Sequence, residues 1–229
     1  MTVPREVVAE ARHGYTSCPF YAAHWGATRP ADPPPLAPAA VQAFARAHDD
    51  PFGGLLARGL VVGGLFAAYH IDAAGTALLV AAGDADLAWD RAAARNTLIA
   101  LGAAAHEIVL VVERSANAYQ HRVWVAGVQD VKAINTSAEP GPLDAWRVQL
   151  VVRRFRPQVI IGLGNGTWDA LPGPPAERWA TLSSAAVIVA DHDFAPVPPP
   201  GVRVLRRLTV AGMQWVEHEP AGGFVAPAD

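Results

Sequence analysis

The chain has 229 residues, 52% of them apolar and 17% charged, enough to build one sizeable core. A net charge of −3 and a pI near 6.2 give no electrostatic footprint for nucleic acid or for an anionic bilayer. Cys18 is the only cysteine, which excludes an intrachain disulfide framework and agrees with a reducing, cytoplasmic setting.

The first twelve residues carry Arg5, Glu6, Glu10 and Arg12 around no apolar core, so they do not read as a secretory signal. Residues 7–11 are a candidate strand, and four prolines between Pro30 and Pro35 forbid a helix there, which makes 1–37 an arm or surface loop. Cys18 and His24 stand close enough in sequence for a nucleophile pair, although a bystander thiol is the commoner situation. Residues 39–48 read as a short helix and 49–54 as a turn. Residues 59–71 and 76–82 are near-continuous apolar runs of strand length, well short of the roughly 20 residues that span a bilayer.

A sharp turn at Ala82-Gly83-Asp84 opens a long helix. Asp84 is placed to cap it, Asp86 and Asp90 put negative charge near its N-terminus, and Leu87, Ala94, Leu98 and Leu101 share one face before Gly102 stops it. Residues 108–112 supply the next buried strand, so 64–113 reads as one continuous α/β unit. Residues 122–128 are a further strand candidate, followed by a polar connection ending in Glu139-Pro140-Gly141-Pro142. Residues 143–156 form a second clear helix with a Val148, Val151, Val152, Phe155 stripe and Arg153, Arg154 and Arg156 in its last turn. A strand at 159–162, a helix at 176–182, a strand at 186–190 and an antiparallel pair at 202–208 and 213–216 complete the order. Strands alternating with helices predict a layered α/β fold with a mostly parallel central sheet, as one domain over 38–220 with a frayed tail at 221–229.

Several places could hold chemistry. Gly162 to Asp169 (GLGNGTWD) follows a strand, but Thr167 stands where a dinucleotide fingerprint needs its third small residue, and Pro172, Pro174 and Pro175 crowd the following helix; no cofactor is expected. Four clusters mix histidine with carboxylates: His48-Asp49-Asp50, His70 with Asp72, Asp191-His192-Asp193, and Glu217-His218-Glu219. Two of them converging, with His70, Asp72, Asp191 and His192 as ligands, would suit zinc or another divalent ion; solvated loop charge is the commoner reading of each. Arg147, Arg153, Arg154 and Arg156, joined by Arg203, Arg206 and Arg207, form a candidate patch for an acidic partner, although arginines at a helix C-terminus also complement its dipole. The seven tryptophans point mainly to core packing.

The stretch 61–113, together with 158–177 (QVIIGLGNGTWDALPGPPAE), resembles the thiolase-fold proteins, in particular β-ketoacyl synthases and chain length factors. Those proteins run a glycine-rich strand pair into a nucleophile turn, a long helix and a strand closing in an acid, and later a strand into a His-Gly-Thr-Gly-Thr loop. The resemblance places a vestigial pocket at Gly83, Asp84, Leu163, Gly164, Asn165, Gly166 and Thr167, with neither the cysteine nor the histidine present. Condensation needs a thiolate and imidazoles, so the resemblance implies a catalytically silent protein in fatty-acid or polyketide-type synthesis. It would act as a homodimer or as the partner of a ketosynthase-like protein, with residues 59–69 and the helix bearing Leu87 to Leu101 near the dimer surface, and could dock an acyl carrier protein. Two rival expectations stand beside it: a small metal-dependent hydrolase built on the His/Asp clusters, and an α/β ligand-binding domain.

Overall fold

The computed structural model describes residues 14, 16–26, 38–58, 66–71, 77–115, 119–210, 213–217 and 224–225. They belong to two compact units, residues 1–84 and 85–229. Among the described residues no helix is long and apolar enough to cross a membrane.

In the first unit helix α1 spans Pro19–Trp25 and α2 spans Pro38–His48. Phe20 is 1% exposed and meets Phe44 of α2 edge-on, with ring centroids 5.5 Å apart. The turn after α2 closes because the Asp50 carboxylate accepts from the amides of Phe52 and Gly54, both at 2.9 Å. Two strands, β1 (Phe66–Ile71) and β2 (Ala77–Ala82), pair antiparallel in a sheet of their own.

The second unit is a seven-stranded sheet with helices on both faces. Helix α3 (Asp84–Ala100) precedes β3 (Ile108–Val112); α4 (Tyr119–Asp130) leads to β4 (Ile134–Ala138), and α5 (Ala145–Phe155) to β5 (Val159–Leu163). Then come α6 (Asn165–Ala170), α7 (Pro175–Leu182), β6 (Val187–Asp191), β7 (Val204–Val210), β8 (Met213–Glu217) and β9 (Phe224–Val225). The strand order is β4-β3-β5-β6-β7-β8-β9; the first five are parallel, β8 runs antiparallel to β7, and β9 antiparallel to β8. The layered, mostly parallel α/β architecture is therefore present.

The strand sequences explain the two-sided burial. Val109, Val111, Val159, Ile161, Val187 and Val189 pack against Ala94, Leu98 and Leu101 of α3 and Trp124 and Val128 of α4. The alternate residues Leu110, Val112, Ile160, Leu163, Ile188 and Ala190 pack against Val148, Val151 and Val152 of α5 and Trp168, Trp179 and Leu182. Period-two alternation with both faces covered gives an unbroken apolar run. Gly127 lets α4 approach α3, since a Cβ there would stand 2.8 Å from that of Ala94. Arg91 with Asp130, and Tyr119 with Asp90, tie the same two helices together.

The structure alters several sequence expectations. Residues 122–128 are helix, not strand, because Gln120, Trp124, Gly127 and Val128 bury one face at i, i+4, i+7 and i+8. The polar stretch Ile134–Ala138 is an edge strand. Pro19–Trp25 is helical, with its proline at the position where a missing N–H costs nothing. Phe155 departs from its stripe and is 54% exposed. Residues 7–11, the proline run at 30–35 and the His218-Glu219 pair lie outside the described residues.

Candidate functional site

Helix α4 carries the chain from β3 outward to β4 on one face, and α5 carries it back across β3 to β5 on the other. The connections leaving β3 and β5 lie on opposite faces of the sheet, the arrangement that in open α/β sheets sets a ligand crevice beyond the carboxyl ends of two such neighbours. The loops lining it are laced together. After β3, the Ser115 amide donates to Glu139 Oε1 at 3.0 Å, and the Ser115 hydroxyl reaches the same oxygen. After β4, the Glu139 amide donates to Asp144 Oδ2 at 2.9 Å, and the Gly141 amide donates to Thr167 Oγ1 at 2.8 Å. After β5, Asn165 spans the β6 loop, donating to Asp193 O and accepting from the Ala195 amide, both at 3.0 Å.

Beneath this rim lies a buried charge triad. Arg207 of β7 is 8% exposed; its Nε donates to Asp191 Oδ1 at 2.8 Å, and its Nη1 reaches Glu113 at the end of β3. The guanidinium passes over β5, where two glycines leave it room. Gly162 has φ +86°, and a Cβ there would overlap the Val112 carbonyl and stand 3.3 Å from Arg207 Nη2; a Cβ on Gly164 would stand 2.7 Å from Asp191 Oδ2. Burial pushes the Glu113 carboxyl above the usual carboxylate range, an effect that Arg207 opposes and Asp191 adds to. Burial works against the charge of Arg207, but its two carboxylate partners outweigh that and hold it firmly protonated. On the α4 side of the sheet His121 Nε2 lies 3.2 Å from Ser137 Oγ, and burial lowers its pKa against the opposing pull of Glu139.

The sequence-derived candidates distribute as follows. Gly164, Asn165, Gly166 and Thr167 all lie on the crevice rim, whereas Leu163 is 0% exposed in the core. Gly83 and Asp84 lie at the start of α3. Asp191 is engaged by Arg207, His192 is exposed, His70 falls on β1, and Asp72 lies outside the described residues. Among the described residues no group of three or more His, Cys, Asp or Glu side chains is placed to hold a metal. Cys18 donates to Leu55 O at 3.1 Å, while His24 stacks on Phe20. The arginine patch divides: Arg207 is interior and Arg206 donates to the Phe194 carbonyl, which leaves Arg203, the arginines of α5 and Arg156 at its end on the surface. Sequence reasoning missed Ser115, Glu139, Gly141 and the pairing of Glu113 with Arg207. The available signal was an arginine inside the apolar run of β7, since a charge in a buried strand requires a partner.

These features define a doubly wound α/β domain with a crevice at its topological switch point. Its fold resembles solved structures of 2-hydroxyisobutyryl-CoA ligase. The complex with 2-HIB-AMP and CoA in the thioesterification state has a TM-score of 0.61 at 14% identity, covering 96% of this chain and 52% of the ligase. The open conformation with the same ligands gives 0.59 at 14% identity, covering 90% and 48%. The postadenylation state with 2-HIB-AMP gives 0.57 at 13% identity, covering 90% and 47%. The chain therefore spans about half the length of these ligase chains. No protein-family model and no curated protein sequence matches it.

This likeness corrects the thiolase and ketosynthase resemblance, and with it the silent ketosynthase partner in acyl chain synthesis. The physical reason is the strand pairing. That reading needs residues 64–113 to be one continuous unit, but among the described residues β1 and β2 pair only with each other, and β3 lies in the seven-stranded sheet between β4 and β5. The metal-dependent hydrolase is not favoured either: of its proposed ligands Asp191 is bound to Arg207, and among the described residues no group of three or more His, Cys, Asp or Glu side chains is placed to hold a metal.

Proposed function

We propose that the chain is an acyl-CoA-ligase-like unit that binds an acyl-adenylate- or acyl-thioester-type ligand in the crevice beyond β3 and β5. The carrying observation is the switch point itself: the laced loops hold its rim, and Gly162 of β5 with Gly164 just after it leave room for the triad beneath. Such crevices are where open α/β sheets bind ligands. The ligase of similar fold was solved with 2-HIB-AMP and CoA, which supplies the ligand class.

In this reading Ser115, Asn165 and Thr167 set the width of the crevice by pinning loops that belong to different strands. Arg114, exposed directly after Glu113, offers a cation to a phosphate or carboxylate at the rim. The fixed triad contributes rigidity, and its Arg207 stays charged. Isothermal titration with CoA, AMP and a non-hydrolysable acyl-adenylate analogue tests the reading. At least one should bind in the micromolar range and be lost in Gly166→Leu, whose side chain would enter the crevice beside Gly141. Absence of binding by all three at millimolar concentration would overturn it.

A further inference from the structure

The outward face of α5 has the composition of a docking site. At 100° per residue, Trp146 and Leu150 stand opposite the buried Val148, Val151 and Val152. Trp146 is 58% exposed, Leu150 51%, and Leu143, just ahead of the helix, 88%. Arg153 flanks this pair on one side and Arg147 and Arg154 on the other, with the Arg147 guanidinium 5.6 Å from the centre of the Trp146 ring. Arg147 also pairs with Asp144 at 3.3 Å, whereas no ion pair among the described residues engages Arg153, Arg154 or Arg156. Arg153 and Arg156 continue into a shallow groove of about 400 Å³ shared with Glu177, Thr181 and Ser184 of the α7 side.

We infer that this face binds an acidic amphipathic helix of a partner protein, which sets an apolar side chain between Trp146 and Leu150 and carboxylates against Arg153, Arg154 and Arg156. Charge decides among the occupants. A second copy in two-fold contact would bring the arginines of one α5 against those of the other, a repulsive arrangement. A bilayer needs a wide apolar face sunk below the headgroups, and α5 has its main apolar stripe committed to the sheet. An aromatic and aliphatic centre ringed by arginine is instead the usual make-up of an energetic centre in a protein interface.

The test uses the full chain and a fluorescently labelled helical peptide carrying leucines on one face flanked by glutamates, read by anisotropy. Micromolar binding is expected, weakened at least tenfold in Trp146→Ala and in the Arg153→Glu/Arg154→Glu double variant, and weakened by salt. A scrambled peptide of the same composition should bind at least tenfold more weakly. Trp146→Ala should melt with the parent, because that side chain is exposed, whereas the double variant, which sets negative charge at the C-terminus of α5, should melt slightly lower while keeping the parent's circular dichroism. Equal binding of the scrambled peptide, self-association in sedimentation that Trp146→Ala abolishes, or binding confined to phosphatidylserine vesicles would each overturn the inference.

Discussion

Replacing Arg207 by methionine removes the one cation between Glu113 and Asp191 while keeping an unbranched chain of similar reach. The side chains of Arg207 and Glu113 are only 9% and 13% exposed, so the variant strands carboxylate charge in a largely buried place. Breaking a buried pair from one side costs about 3–5 kcal/mol. At about 2–4 °C per kcal/mol for a unit of this size, the melting temperature should fall by roughly 10 °C.

The pH dependence follows from Glu113, whose pKa in the folded protein is raised chiefly by burial. Over the window between its ordinary and folded values, the folded state keeps a proton that the unfolded chain has lost, so stability falls as pH rises through that window. Without Arg207 only the raising influences of burial and Asp191 remain, and the window extends upward. Melts followed by circular dichroism should show a large deficit for R207M at pH 8 that shrinks on acidification. Adding Glu113→Gln should recover part of it. A variant as stable as the parent at pH 8, or a deficit that grows in acid, would refute the reasoning.

Three further outcomes are expected. Gly127→Ala in a helix interior would ordinarily stabilise by up to about 1 kcal/mol, but here the new Cβ would stand 2.8 Å from that of Ala94, so the change should instead cost about 1–3 kcal/mol in denaturant unfolding. Gly162→Ala combines a left-handed backbone with overlap onto the Val112 carbonyl, and should reduce soluble yield and lower the melting temperature more than Gly166→Ala, whose Cβ has ordinary contact at 3.7 Å. His121 is held neutral mainly by burial, so its contribution is present above its unfolded pKa of about 6.5 and lost as pH falls through the lower folded value. His121→Asn should therefore flatten the loss of stability below pH 6.5, measured by urea midpoints.

The central strands were legible because β3, β5 and β6 are buried on both faces, and their runs IVLVV, VIIGL and VIVAD admit little else. Helix α3 was legible from the spacing of Ala94, Leu98 and Leu101 and from Gly102, which has φ +87°. Helix α4 was not, because Val123, Trp124 and Val125 carry strand-like propensity and only packing against α3 and the sheet decides which residues are buried. Edge strand β4 was hidden for the converse reason: among the described residues one flank has no neighbouring strand, so INTSA needs no apolar run. Asn165 and Thr167 could be singled out beside a glycine-rich turn, but their partners lie 28 and 26 residues away. The turn at Gly83-Asp84 resembled a nucleophile turn emptied of its reactive group because a strand, a sharp turn and a helix follow one another there. No local signal says that β2 belongs to a different sheet from β3.

The span of the triad has a consequence for synthesis. Glu113 and Arg207 are 94 residues apart, and the cation comes from the later of the two. As the chain emerges from its N-terminus, β3, β5 and β6 are complete before their counter-charge exists, so the growing sheet carries two carboxylates that favour water over the interior. Arrival of β7 reverses that preference. The last parallel strand thereby acts as a completion check: the sheet reaches its full cohesion only when the residue that neutralises its centre has been made.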